Sequence, residues 1–390
     1  MTAIKLAYRN LIGAGLRTWL NVIVLSFSFV MIIWMKGMLD GWDRQARIDS
    51  IEWETGGGQY WHENYDPYDP FTFEDSHAPL TPEQENLWQK GKLVPVLITR
   101  GTIYPGGRMQ NIVIKGIDVN QKLLSIPTAR LDTSVYGIPA VVGSNMAQNS
   151  RLKKGDRVVV RWRDANGTFD ADEVVITGIF NTTVPSIDAG QIWIPLKDLQ
   201  RMTLLENEAT LLVRDNTEAP MPAFAGWKFM EQDELLKDIE TIIKSKTAGT
   251  SVFYMILLLL ALLVIFDTQV LSVFRRQKEI GTYVAMGMTK KEVVTLFTVE
   301  GGMHAVLAVV VGAVYGIPLF IQQSTQGISF GLSGQDIGIT MAETLYPLYS
   351  MELVISTIFI IVVATTFVSF IPARKISGMN PTEAIKGKIQ

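Results

Sequence analysis

The sequence of 390 residues contains no cysteine and only three histidines. Without cysteine no disulfide, thiolate nucleophile or zinc–thiolate site can form. Any part of the chain that meets an oxidising compartment must hold its fold without cross-links. No G-x-x-x-x-G-K-[ST] phosphate-cradling loop occurs, and no Ser–His–Asp arrangement is legible, so ordinary hydrolytic and nucleotide-binding chemistries have no signature here. Positive charge is also missing from one place: 323–351 has neither Lys nor Arg.

What the sequence does have is long apolar runs. Four of them, 18–38, 251–273, 302–322 and 352–372, reach the roughly 20 residues needed to cross a bilayer. Total hydrophobic content is only 48% because a polar block, 39–250, separates the first run from the second. That block is long enough to bury its own core. The expected fold is an α-helical integral membrane protein with four transmembrane helices and a large α+β extracytoplasmic domain between helices 1 and 2.

Charge orients the spans. Lys5, Arg9 and Arg17 precede the first; Arg275, Arg276, Lys278, Lys290 and Lys291 lie in 274–301; Arg374, Lys375, Lys386 and Lys388 lie in the tail 373–390. The positive-inside rule puts both termini and 274–301 in the cytoplasm, and the large block and 323–351 outside. The net charge of −3 conceals a balance of roughly −8 over 38–250 and about +5 elsewhere. This distribution suits a membrane protein and argues against nucleic-acid binding. The first run is of span length and lacks a small-x-small cleavage site after Met35, so it is expected to be an uncleaved span. Residues 1–17 have apolar residues at helical spacing, which fits either an amphipathic helix along the inner leaflet or the cytoplasmic end of span one.

Within the outer block, 40–53 is charged and free of proline, and 231–246 mirrors it before span two. Leu235, Leu236, Ile239, Ile242 and Ile243 of that second stretch share a helical face. Two stalk helices are predicted there. The turn-rich stretch 56–82 reads as a long surface loop. Strands are predicted at 94–104, 110–119, 140–143, 157–163, 173–180, 191–195 and 210–213, with Asn166-Gly167 marking a tight hairpin. Helices are predicted at 82–90, 144–152 and 195–205.

Several stretches carry a resemblance. Ala7-Tyr8-Arg9-Asn10-Leu11 with Arg17-Thr18 leads into span one. Arg276 to Gly287 reads R-x-x-E-I-G-x-x-x-A-x-G. Pro372-Ala373-Arg374-Lys375 is followed by Asn380-Pro381-Thr382-Glu383-Ala384-Ile385. The outer block adds Gly116-Ile117-Asp118, Val142 to Ala147, Leu152 to Asp156, Val175 to Phe180 and Ile192 to Leu196, in that order. Together they resemble the FtsX/MacB/LolC–LolE superfamily of ABC-transporter permeases (type VII), and most closely its lipoprotein-releasing branch. The resemblance implies a coupling helix in 274–301, formed by Arg276, Glu279, Ile280, Gly281, Ala285, Met286, Gly287 and Lys290, that docks on a cytoplasmic ABC ATPase. It also implies that ATP and Mg are bound by that partner and none by this chain. Leu332-Ser333-Gly334-Gln335 echoes an ABC signature sequence, but it lies in the outer loop without a Walker lysine and reads as coincidence.

Four further groups carry chemistry of their own. Trp34, Met35 and Met38, with Phe253, Tyr254 and Met255, lie toward the outer ends of spans one and two. They suit an acyl-chain groove or an ordinary aromatic belt. Asp267 stands in span two where relatives carry an uncharged polar residue. It suits a dimer-interface contact, or a hydrated or loop-paired position near the headgroups. His62, Glu63, Glu74 and His77 match no defined metal spacing, and no metal is expected. His304 reads as a packing or interfacial residue.

The expected function is that of a permease subunit in a bacterial inner membrane, not itself an enzyme. It would act with ATPase subunits, lipids and a second permease copy or a paralogous permease. Its work would be extraction of lipoproteins for a periplasmic lipoprotein carrier. The alternatives are a MacB-like efflux permease for peptides or antibiotics and an FtsX-like signalling permease controlling a cell-wall hydrolase.

Overall fold

The computed structural model describes residues 15–133, 135–182, 184–217, 222–328 and 344–378. The expected inner-leaflet helix and its motif at 7–11, most of the loop 323–351, and the tail motif at 380–385 lie outside them. The chain divides into two compact units, one of 1–43, 243–329 and 344–390, the other of 44–242 with 330–343.

The first unit is helical. Its elements are α1 (Leu16–Ser50), α2 (Lys237–Arg275), α3 (Gln277–Ala285), α4 (Lys290–Gln326) and α5 (Met351–Arg374), of which α1 and α2 continue into the second unit. Among the described residues, four helical stretches are long and apolar enough to cross a membrane: Thr18–Thr55, Thr247–Arg275, Lys290–Gln326 and Met351–Arg374. The helices outrun the apolar runs read from sequence, because polar turns at their ends continue the same backbone bonding. The third is the clearest case, starting at Lys290, well before the expected 302.

The interior of this unit joins Val22, Leu25, Phe29, Val30 and Ile33 of α1 to Ala261 and Ile265 of α2, Ala305 and Ala308 of α4, and Ile361 of α5. Small and polar residues let the backbones approach, as lipid-embedded packing favours. A Cβ at Gly301 would collide with Ser369 Oγ, so α4 and α5 can cross this closely only over glycine. Asn21 Nδ2 donates to Thr268 Oγ1 at 2.9 Å, linking α1 to α2 inside the bundle.

Among the described residues the second unit is built on eleven strands: β1 (Gln59–His62), β2 (Ala78–Pro79), β3 (Leu93–Ile103), β4 (Gln110–Ile117), β5 (Ile138–Gly143), β6 (Arg157–Arg163), β7 (Phe169–Phe180), β8 (Gln191–Pro195), β9 (Glu208–Ala209), β10 (Leu211–Arg214) and β11 (Trp227–Met230). The main sheet runs β11-β1-β10-β3-β4-β8-β5-β7-β6, and β3 also pairs with β6. That extra pairing, Gly101 opposite Trp162 and Ile103 opposite Val160, closes β3, β4, β8, β5, β7 and β6 into a barrel. β3 therefore serves twice on one edge. Its first residues pair with β10 and its last with β6.

Alternation decides which side chains go inside. β6 shows it residue by residue: Val158, Val160 and Trp162 are buried, while Arg157, Val159, Arg161 and Arg163 are exposed. The barrel core joins these to Leu97, Ile103, Ile112, Ile114, Ile138, Ala140, Val142, Val174, Ile176, Ile192 and Ile194. The helices Ser144–Ser150 and Leu196–Thr203 add Met146, Ala147, Leu196, Leu199 and Met202. The outer faces of β3, β4 and β8 support a second core with Val94, Val96, Ile98, Ile117 and Trp193.

All seven expected strands and three expected helices are present with ends shifted by a few residues. Two features differ from the expectation. Residues 56–82 hold β1 and the 3-10 turn Pro70–Glu74 as well as loop, because Tyr60 packs under β10 and β11. The predicted helix at 231–246 is broken at Leu236, which is fully buried. The two helix extensions are tied instead by Arg47, whose Nη1 donates to Glu240 Oε1 at 2.6 Å.

Replacing Trp162 by Ala would empty the barrel core and strand the Met202 carbonyl that accepts from Trp162 Nε1 at 2.7 Å. The expected cost is about 3–5 kcal/mol, measured as a lower denaturant midpoint of the second unit in the purified chain.

A second prediction concerns acid. Burial favours the neutral form of Glu74, but hydrogen bonds from Arg100 and Arg163 outweigh it and hold the carboxyl below its ordinary value. The stability this group contributes is fully present above the unfolded-state value and is lost as pH falls through the lower folded value. Thermal midpoints of wild type and Glu74→Gln should therefore differ at neutral pH and converge in the acid range below the ordinary carboxylate pKa.

Candidate functional site

α2 ends at Arg275, and Arg276 leaves the helical region with φ −100 and ψ 18. The nine residues of α3 then run to Ala285. Gly287 turns the chain with φ +103 in open space, a conformation that only glycine adopts without strain. Its N–H donates to the Val284 carbonyl at 3.1 Å, and Met288 N–H donates to the Tyr283 carbonyl at 3.0 Å. Thr289 then caps α4 with a capping box completed by Glu292. Helix, glycine turn and capped helix are thus each fixed by local chemistry.

The short helix is anchored from below. Ile280 is buried with Val273, Val293, Val294, Phe297, Ala373 and Ile376, so α3 rests on residues of α2 and α4 and on the end of α5 with the turn that follows it. Arg276 locks the arrangement. Its Nη1 donates to both Glu300 oxygens at 2.9 Å, and its Nε donates to Glu279 Oε2 at 2.7 Å. Its guanidinium lies 4.8 Å from the Phe297 ring centroid. The Glu300 side chain is only 7% exposed and that of Arg276 18%. Burial alone would lower the Arg276 pKa; the Glu300 and Glu279 carboxylates override it and raise it, so the charge is permanent.

The other face of α3 is open. Thr282, Ala285, Met286 and Gly287 are exposed, Met286 to 69%. The result is a small-residue tip with one projecting methionine, carried on a helix whose base is held by a buried ion pair. Chemically this is a contact surface.

The residues expected in the coupling element thus fall into three roles. Arg276 and Glu279 form the clamp, Ile280 and Gly281 are buried at the base, and Ala285, Met286 and Gly287 form the tip. Lys290 is the first residue of α4. Gly287 serves the turn. Phe297 and Glu300 lie outside the residues that the motif marks. The available signal was a carboxylate in an otherwise apolar helical run, which requires a partner.

The other expected groups are placed as follows. Trp34 Nε1 donates to Gln323 Oε1 at 2.7 Å, and Tyr349 OH donates to the same oxygen at 3.0 Å. Trp34 is therefore committed to α4 and the start of α5. Met35 and Met38 are half-buried, Tyr254 is half-buried, and Phe253 and Met255 are exposed. Asp267 is exposed on α2, in line with the exposed Leu263 and Leu271, and makes no ion pair with the basic loop among the described residues. His304 is buried, with Nδ1 3.0 Å from the Glu300 carbonyl oxygen. In the second unit His77 meets Glu208, while Glu74 is taken by Arg100 and Arg163. Among the described residues no His, Asp and Glu cluster could hold a metal.

Among the described residues, four helices long and apolar enough to cross a membrane, with a clamped short helix between two of them, fit a membrane protein. Residues 251–381, which contain that helix, match the FtsX-like permease C-terminal family. Over that C-terminal part, and in the relatives below, the chain resembles the FtsX/MacB/LolC superfamily of ABC-transporter permeases. It is similar to the macrolide export ATP-binding/permease protein MacB 2 of Aeromonas hydrophila subsp. hydrophila, 24% identical over 209 residues, 50% of this chain and 30% of that protein. It is likewise similar to the macrolide export ATP-binding/permease protein MacB of Agrobacterium fabrum, 24% identical over 237 residues, 56% of this chain and 34% of that protein. The chain thus spans about a third of the length of the curated relatives it matches. The extracellular domain of the ABC-type transporter YknZ from Gram-positive bacteria aligns over 41% of this chain and 84% of that one, at 14% identity and a TM-score of 0.25, too low to carry an argument about fold.

The clamp makes a specific prediction. Glu300→Ala leaves the Arg276 charge without its buried partner and with only the half-exposed Glu279, at an expected cost of up to about 3–5 kcal/mol. Pairing Arg276→Met with Glu300→Leu should cost less than either single change, because no buried charge remains. Hydrogen exchange of the amides in 280–288 reports both.

Proposed function

We propose that this chain is the permease subunit of a type VII ABC transporter and that α3 is its coupling helix. The observation that carries this reading is the Arg276–Glu300 pair beneath an exposed tip. A displacement applied to Met286 is passed through a short helix that cannot pivot freely, because its first turn is held by two charge-assisted bonds to α4. The force would come from ATP-driven closure of cytoplasmic ATP-binding subunits, and the membrane helices would carry it to an extracytoplasmic second unit. The permease itself would form a pair with a second copy or a paralogue, in a bacterial inner membrane.

Two substrate readings have support of different kinds. Release of lipoproteins to a carrier is favoured by 331–348, where Asp336-Ile337-Gly338 before Tyr346-Pro347 resembles that branch more than the efflux branch; most of this stretch lies outside the described residues. Efflux of peptides or antibiotics is favoured by the names of both relatives, which are macrolide export proteins. Signalling to a cell-wall hydrolase has only the family in its favour.

Ala285→Arg combined with Met286→Asp alters only exposed positions. The variant should retain the wild-type melting temperature and lose the ATP-binding protein that co-purifies with the wild-type chain, identified by mass spectrometry. Undiminished co-purification would remove the coupling assignment.

A further inference from the structure

The second unit carries a groove of about 540 Å³ that the coupling reading does not use. Its walls are Arg100 to Thr102 on β3, Asn111 to Val113 on β4 and Arg161 to Arg163 on β6, with Pro70, Phe71 and Glu74 from the 3-10 turn. It therefore lies over the seam where β3 and β6 close the barrel.

Two features set it apart from ordinary surface. The first is charge. Arg100, Arg161 and Arg163 line it with a single carboxylate, Glu74, so three cations minus one anion leave two uncompensated positive charges. Glu74 accepts from Arg100 and, at 2.7 Å, from Arg163 Nη1. Arg161 makes no ion pair among the described residues, and its guanidinium lies 4.3 Å from the Phe169 ring centroid. The Nε of Arg100 has no hydrogen-bond partner among them either. The second feature is apolar exposure. Phe71, Met109 and Phe169 line the same groove at 74%, 70% and 60% exposure. Large apolar side chains left in water around a cationic centre are the usual composition of a recognition surface.

We propose that this groove binds an acidic, apolar segment of polypeptide. Glu74 shows the chemistry in miniature, since one carboxylate is already held between two guanidiniums. Planar guanidiniums suit a carboxylate's two oxygens, and Arg161 offers its donors to a second one while stacked on Phe169. Phe71, Met109 and Phe169 stand as separate patches, which fits discrete side chains better than one continuous acyl chain. Glu74 competes internally for Arg100 and Arg163, so removing its charge should tighten binding.

The test uses the full chain in lipid nanodiscs and needs neither nucleotide nor transport. The probe is a dye-labelled hexapeptide alternating glutamate and leucine, followed by fluorescence anisotropy, with the lysine–leucine counterpart as control. Saturable binding of the acidic probe alone is expected, weakening with added salt. Arg161→Gln and Phe169→Ala should each weaken it about tenfold or more, and Glu74→Gln should strengthen it. Thermal midpoints identify any variant that fails to fold. Equal binding of both peptides, or acidic-peptide binding insensitive to Arg161 and Phe169, overturns the proposal. So does Arg161-dependent binding of phosphatidylglycerol vesicles in place of the peptide, which would make the groove a lipid-headgroup site.

Discussion

Backbone hydrogen bonding is the constraint on which both units depend. A hydrocarbon layer offers an N–H or C=O nothing to bond to, so only structures that satisfy the backbone internally survive there. The first unit meets the requirement with helices that run past their apolar cores. The second unit meets a milder version of it by bringing β6 back to β3, so that the core strands leave no open edge at that seam. In the two units helix and closed barrel answer the same problem at different costs of charge and length.

Charge is where the helical unit departs from simple apolar packing. Arg276 and Glu300 lie at the edge of the apolar region, where leaving either alone is expensive. The bonds from one guanidinium nitrogen to both Glu300 oxygens, together with the Phe297 face, offset the loss of water. Asp267 is the contrasting case. It sits among exposed leucines with no such partner among the described residues, and an ionised carboxylate held in lipid costs about 3 kcal/mol. A paired buried charge fixes geometry within the chain, whereas an unpaired exposed one leaves a requirement for something outside it.

Much of the fold was legible because local periodicity reported it. The alternation in 157–163 is that of a half-buried strand, and the structure buries the residues it marked. The four apolar runs became four helices for the same reason. What was not legible was non-local. β1 and β11 exist because they pair with one another and because β1 also pairs with β10. Closure of the barrel depends on β3 meeting β6 across an intervening stretch of chain. The site divides the same way. The motif pointed to Arg276, Glu279 and the tip, but its partner Glu300 and the packing of Phe297 depend on α4 folding back beside α3. The orientation of Trp34 was likewise a question of helix rotation, which spacing alone leaves open.

The double use of β3 has a consequence for how the second unit comes to be folded. The strand's first half waits for β10 and its second half for β6, so neither half is complete from its neighbours in sequence. During synthesis, Leu93 to Val96 therefore stand as an unpaired apolar edge until residues beyond 211 have emerged. Contacts of such long sequence separation form slowly. Throughout that interval the nascent domain presents a template on which another chain can add a strand, and it is in this window, before the last strands arrive, that the protein is most exposed to misassembly.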